Sequence, residues 1–540
     1  MTLLPLPAEF ALTASDGGAD LSAGGAVVAP RAWWPSLLTV LGPLSAAIGA
    51  PFSFRAERGD GTALIEVVED AGLSGDAYRL RVADGTVSIA ASGATGALYA
   101  LQTLRQLLGA DAYRSAGSVE ARVPACEIAD APVAAWRGFM YDVARHFPGK
   151  TWTLRLIDLL AQLKMNVLHL HLTDDQGWRV EIDAFPRLTE VGAYRRETLV
   201  GDRFSETYDG TPHGGYFTKA DLREIVAYAA VRGITVVPEI DMPGHMLAAV
   251  ASYPEWGVTG TQTEVLTRWA RSFDVLNMAQ TTVDAMKTIL DEIIEIFPSE
   301  YIHIGGDESP RDQWDRDPAT QDLIRERGLA DSDALQHWFT RELGDHLQSR
   351  GRRMVGWDEI LNGELPENAT IMAWRDEEYA HEALALGRDV VIAVQQHYYF
   401  DFKQSARPDE PLGPRVFDIY LTELAEVYSY DWRAVESDRI LGIQGELWTE
   451  FIPTTRKAEY MIFPRLFALA ERAWRAEPTE FDDFVARVEG MFDRWDAQGV
   501  EYRPLTGPRP DQAGTWSGVI AEVPPQLMLS SNDGPQAAVD

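Results

Sequence analysis

From residue 137 to about residue 474 the sequence alternates between short apolar runs of strand length and segments with helical periodicity, which restricts the chain to very few architectures. Residues 138–143 form the first apolar run. Leu156, Leu159, Leu160 and Leu163 then follow at i, i+3, i+4 and i+7, the stripe of a helix resting on a sheet. Residues 166–172 read as a second strand. Thr218 and Asp221 have the spacing of a capping box, opening a helix that Gly233 closes. Residues 234–240 and 301–304 are further strands, with a helix around 286–296 between them. Residues 353–357, 369–374, 389–394 and 440–444 supply four more. This pattern predicts an α/β protein built on a (β/α)8 TIM barrel; an open, doubly wound sheet is the alternative.

The chain has 540 residues, too many for one ordinary core. The part before the barrel reads as a small α+β domain. Residues 78–82 and 86–90 pair as a hairpin around Asp84-Gly85, and Leu98, Leu101, Leu104 and Leu108 mark one face of a following helix. Residues 121–125 read as an exit segment. The expected divisions are 1–132 for the α+β domain, 133–500 for the barrel and 501–540 for a C-terminal extension. The extension is rich in Pro, Ser, Asn, Asp and Ala beyond about Pro524 and is expected to be partly disordered. There is no internal repeat and no glycine-rich phosphate motif.

Formal net charge is −34, spread along the chain, which opposes nucleic acid or an anionic membrane as partner; solubility is a sufficient reason for it. Cys126 is the only cysteine, so neither an intramolecular disulfide nor a cysteine metal cluster can form. The first residues lack a basic segment followed by an apolar core, and no run approaches the ~20 apolar residues of a membrane span. The expected location is cytoplasmic. Oligomeric state is not legible.

Polar and aromatic residues gather at the end of strand after strand. In order these are Asp142, Arg145 and His146; His169, His171, Asp174, Asp175 and Trp178; Glu239, Asp241 and His245; and His303, Asp307 and Glu308. The later strands end in Trp357, Asp358 and Glu359; Trp374 and Arg375; Tyr399 and Asp401; Trp448 and Glu450. In a barrel these C-terminal strand ends form one rim, where active sites are built. Tryptophan faces beside carboxylates and an arginine suit a sugar, whose ring has apolar faces and a hydroxyl edge. No position offers a dedicated metal cage and no cofactor motif is present. His169 and His171 share one strand face and could hold zinc with a carboxylate, or be hydrogen-bonded core residues.

The segments Arg137-Gly-Phe-Met-Tyr-Asp-Val-Ala-Arg-His-Phe, His171-Leu-Thr-Asp-Asp-Gln-Gly-Trp-Arg, Pro238-Glu-Ile-Asp-Met-Pro-Gly-His and His303-Ile-Gly-Gly-Asp-Glu strongly resemble the family 20 glycoside hydrolases, the β-N-acetylhexosaminidases. The resemblance runs from about Arg137 to Trp474, and residues 1–130 are similar to the small domain that precedes the barrel in that family. It implies an exo-acting, retaining, substrate-assisted mechanism, an exception to the two-carboxylate scheme. The 2-acetamido oxygen of the substrate would attack the anomeric carbon. Asp307 would orient the acetamido group and stabilise the oxazolinium ion, and Glu308 would act as acid and then base. The charge of Asp307 is expected to raise the pKa of Glu308. By the same resemblance Tyr399 would donate to the acetamido oxygen, and Trp357, Trp374 and Trp448 would wall the sugar. Arg145 would bind the C3 and C4 hydroxyls, Asp401 and Glu450 those at C4 and C6, with Asp174 and His245 supporting. His146, Asp175 and Glu359 are read as structural.

The expected partner is an oligosaccharide ending in N-acetylglucosamine or N-acetylgalactosamine. A disaccharide-releasing relative would need a deeper pocket. An inactive carbohydrate-binding barrel is the reading from another class, and the presence of both Asp307 and Glu308 weighs against it.

Overall fold

The computed structural model describes residues 2–13, 17–58, 64–414, 421–435 and 437–514. The expectation of disorder after Pro524 lies outside the described residues.

The first part of the chain is a seven-stranded mixed sheet, ordered Glu9–Leu12, Cys126–Asp130, Tyr78–Ala83, Thr86–Ala91, Ile65–Glu69, Gly25–Val28 and Phe52–Arg55. The helices Trp34–Ile48 and Ala94–Leu107 pack together, and the second lies on the hairpin strands. Leu98, Leu101 and Leu104 are fully buried there, while Leu108 ends the helix half-exposed. Residues 121–125 are not a simple exit. Arg122–Val123 pairs with Ala19–Asp20, and Cys126–Asp130 then inserts between Glu9–Leu12 and Tyr78–Ala83. The alternating burial of Cys126, Ile128 and Asp130 is the mark of a strand with one covered face, and five residues are enough for it.

Eight parallel strands then close a barrel: β1 (Trp136–Asp142), β2 (Val167–His171), β3 (Thr235–Glu239), β4 (Tyr301–His303), β5 (Arg353–Trp357), β6 (Thr370–Ala373), β7 (Asp389–Ile392) and β8 (Ile440–Leu447). Pairing of β8 with β1, from Trp136 opposite Gly442 to Tyr141 opposite Leu447, completes the ring and removes the open-sheet alternative. The helix Lys219–Ala230 opens with the expected box: Thr218 Oγ1 accepts from Asp221 N at 3.1 Å, and Thr218 N donates to Asp221 Oδ2 at 3.1 Å. Between β5 and β6 the chain makes only the 3-10 turn Asp358–Asn362, so the barrel wall is thin there. Among the described residues no helix is long and apolar enough to cross a membrane.

The two domains share buried polar contacts. Asp130 accepts from Tyr78 Oη at 2.7 Å, from Trp474 Nε1 at 2.8 Å and from Lys164 Nζ at 3.1 Å. Arg137, at the base of β1, reaches Tyr99 Oη at 2.9 Å and Asp76 at 3.2 Å. The small domain thereby grips the floor of the barrel and leaves the opposite rim free.

Candidate active site

The rim holds a cavity of about 990 Å³. Arg145, Asp174, His245, Asp307, Glu308, Trp357, Trp374, Tyr399, Asp401, Trp448 and Glu450 all line it. Every site residue expected from sequence is therefore brought to one place.

Its floor is built around Glu239, the last residue of β3. Oε2 lies 2.6 Å from His171 Nδ1 and 3.0 Å from His169 Nε2; Oε1 accepts from Trp357 Nε1 at 2.9 Å and lies 3.1 Å from His303 Nδ1. All four partners are fully buried. Burial opposes the charge of Glu239, but the histidines prevail and hold its carboxyl well below the usual range. His171 gives its other nitrogen to Asp174 at 2.9 Å, so both ring nitrogens are engaged by carboxylates and a zinc ion there would have to break an ion pair. His169 Nδ1 meets Gln444 Nε2 at 3.1 Å, while its Nε2 faces Glu239 at 3.0 Å without making a hydrogen bond among the described residues. His169, Glu239 and His303 can bring ligand atoms within 4.8 Å of one another, but the carboxylate already serves as the centre of this network.

One wall carries the adjacent carboxylates. The turn after β4 runs through Gly305 and Gly306, with φ of +66° and +98°. A Cβ at Gly305 would meet Asp241 Oδ1 at 1.7 Å, so the chain can pass behind Asp307 only as glycine. Gly305→Ala is expected to lower stability by at least ~2 kcal/mol through clash and backbone strain, read as a lowered thermal midpoint. An unchanged midpoint would show that the turn is not needed. Glu308 and His245 themselves adopt left-handed φ, +43° and +53°, strain of the kind that gathers at functional sites.

His245 joins the carboxylates. Its Nδ1 lies 3.2 Å from Asp174 Oδ1, and its Nε2 lies 3.7 Å from Asp307 Oδ2 and 3.6 Å from Glu308 Oε2. Burial disfavours a charged imidazole, yet the charge of Asp174 raises the His245 pKa well above the ordinary value. The consequence for Glu308 corrects the expectation from sequence. Burial pushes its carboxyl up, but contact with His245 and the charges of Arg271 and Arg145 outweigh this and hold it below the usual range. Asp307 shifts the other way, raised by burial and then by Glu308 and Glu239 against the pull of His245.

The other walls are aromatic. Trp374 and Tyr399 stack with centroids 6.0 Å apart and planes 12° from parallel; Trp448 lies 6.2 Å from Tyr399 and 5.8 Å from Trp357. Arg145 closes the far end. It contacts Asp174 at 2.8 Å and Asp142 at 3.2 Å, lies 3.8 Å from Glu450, and sets its guanidinium 5.1 Å above the Trp448 ring. Asp401, beside it, is raised well above the ordinary range by burial and by Glu450, and its buried Oδ1 has no hydrogen-bond partner among the described residues.

Asp175 is structural as expected, its carboxylate accepting from Leu247 N at 3.0 Å and Ser272 N at 2.6 Å. Glu359 is not merely structural. It lines the cavity and accepts from Trp374 Nε1 at 3.0 Å, fixing that ring. Asp241, two residues past β3, packs behind Asp307 and accepts from the Gly306 amide at 3.1 Å, a role that no local sequence pattern marks. Arg203 and Arg271 also line the cavity; they lie on loops away from any strand end, where no motif marks them.

The sequence profile of glycosyl hydrolase family 20, catalytic domain, matches residues 135–477, and that of glycosyl hydrolase family 20, domain 2, matches residues 1–131. The chain is similar to a beta-hexosaminidase of Porphyromonas gingivalis, 37% identical over 83% of this chain, and spans 57% of that relative's length. It is 33% identical to a beta-N-acetylhexosaminidase of Cellulomonas fimi over 86% of this chain and 87% of the relative. Among solved structures it is similar to an exo beta-N-acetylglucosaminidase of Vibrio harveyi in complex with N-acetylglucosamine. The TM-score is 0.82 at 34% identity, over 93% of this chain and 78% of that one.

Proposed function

The chain belongs to glycosyl hydrolase family 20, and from that membership and the site we propose that it is an exo-acting, retaining β-N-acetylhexosaminidase in which the substrate supplies the nucleophile. The observation that carries this reading is the convergence of Asp307 and Glu308 on one imidazole nitrogen, at 3.7 and 3.6 Å. Both carboxylates stand on one wall, whereas the ordinary retaining scheme needs one on each side of the scissile bond.

The terminal sugar enters with its hydroxyl edge toward Arg145, Asp401 and Glu450. The three tryptophans enclose its ring and acetamido methyl. Asp307 accepts from the acetamido N–H and Tyr399 donates to the acetamido oxygen, which aims that oxygen at C1. Its lone pair forms the new C1–O bond as the bond to the leaving oxygen breaks, and Glu308 gives that oxygen its proton. Glu308, now a carboxylate, takes a proton from water, whose oxygen attacks C1 and reopens the oxazolinium ring. Two inversions return the β-anomer.

Hydrolysis of a chitotriose followed by NMR tests the scheme. The expected first products are the β-anomer of N-acetylglucosamine and the dimer, and a plain β-glucoside should be nearly inert. Initial α-anomer would exclude the mechanism, and a dimer released from the non-reducing end would mean that Arg145 and Glu450 do not close the pocket.

A further inference from the structure

The cavity is larger than the enclosure around one sugar. Besides the tryptophans, Tyr399, Arg145, Asp401 and Glu450, it is lined by Arg203 and Arg271. Arg271 Nη1 donates to the Glu308 carbonyl at 3.3 Å, and among the charges that act on Arg203 that of Glu308 is foremost. The backbone that carries each of them is anchored. Arg203 sits at the tip of a turn closed by the Leu199–Tyr208 bridge, and the turn is tied through Leu199 N to Thr267 O at 2.8 Å. Arg271 precedes Ser272, whose amide is held by the buried Asp175. Among the described residues, no carboxylate lies within ion-pair distance of the Arg203 guanidinium, which stands 5.1 Å from the centre of the Phe204 ring.

We infer that Arg203 and Arg271 form a leaving-group subsite for an acidic sugar, so that the preferred substrate is an N-acetylhexosamine β-linked to a residue bearing a carboxylate or sulfate. This rests on the exo-hexosaminidase reading above, which places the scissile oxygen at Glu308 and the aglycone beyond it. Guanidinium groups take such anions through paired N–H donors. An acidic leaving group has a second effect. It offsets the positive charges that depress Glu308 and so keeps the general acid protonated to higher pH.

The test compares two disaccharides of identical linkage, N-acetylglucosamine β-linked to glucuronic acid or to glucose, so that a C6 carboxylate or hydroxymethyl is the only difference. At low ionic strength the acidic substrate should show kcat/KM about tenfold higher, the effect of one charge-assisted contact at a solvent-facing site. The advantage should shrink in ~0.5 M salt. In Arg203→Gln the acidic-to-neutral ratio should fall toward one; reading the ratio within each protein cancels any loss common to both substrates. Arg203→Lys should keep part of it. A wild-type ratio at or below one overturns the inference, as does a high ratio that survives Arg203→Gln. An aryl N-acetylglucosaminide serves as control. If it is cleaved while the ratio is flat, only the subsite falls; if it is inert, the underlying reading falls and takes the subsite with it.

Discussion

Replacing Glu308 with glutamine is expected to lower kcat on oligosaccharides by roughly 10²–10⁴-fold, the usual worth of a positioned general acid, while aryl glycosides with acidic phenols lose far less in the bond-breaking step. Glutamine keeps the shape of the side chain and its place beside His245, but has no proton to give. A sugar oxygen leaves poorly without protonation, whereas a nitrophenolate leaves unaided. The dependence of kcat/KM on leaving-group acidity should therefore steepen in the variant. A uniform loss across the series would remove Glu308 from the role of acid. The depressed Glu308 pKa in the unliganded pocket bears on this result, because the acid must be protonated as it works. Substrate displaces water from around the carboxyl, and desolvation raises it.

Asp307→Asn is expected to cost about 3 kcal/mol of transition-state stabilisation, or on the order of 10²-fold in kcat, with the thermal midpoint little changed. The positive charge that spreads over the oxazolinium ring then faces an amide instead of a carboxylate, in a wall where Asp307 is only 9% exposed and water is a weak substitute. The direction of its pKa adds a second readout. Raised by burial and neighbouring carboxylates, Asp307 loses its charge at a higher pH than an ordinary aspartate. Activity dependent on that charge is present above the raised pKa and falls as pH drops through it, so the acid limb of the kcat profile should flatten in Asp307→Asn. Near-normal kcat would remove the assigned role.

The barrel was legible because each strand carries its own signal, an apolar run ended by charged or aromatic residues. The first sheet was legible only in part. Its hairpin announces itself through Asp84-Gly85, whereas Gly25–Val28, Phe52–Arg55 and Cys126–Asp130 are four- or five-residue strands held by distant partners. The eleven candidate residues line one cavity because all follow barrel strands in the chain, from Trp357 at the end of β5 to Asp401 in the segment beyond β7. Their protonation was not legible. Adjacency in sequence suggested that Asp307 raises Glu308, but His245, brought in from the loop after β3, and Arg271, from a loop beyond it, outweigh that one neighbour. Glu359 was set aside for a related reason: its part depends on the indole of Trp374, fifteen positions away, and no local pattern reports such a contact.

The arrangement around Glu239 bears on how the site meets a developing charge. In water, positive charge appearing at an anomeric carbon must first turn the surrounding dipoles, and that reorganisation is a large share of the barrier. Beneath this pocket the dipoles have nowhere to turn. One imidazole and an indole are hydrogen-bonded to one carboxylate, with two more imidazoles 3.0 and 3.1 Å from it; the bonded imidazole, His171, is held in turn by Asp174, and Asp174 by His245 and Arg145. Under the proposed mechanism, the polarisation that the transition state requires is thus laid down when the chain folds, and it remains in place from one turnover to the next.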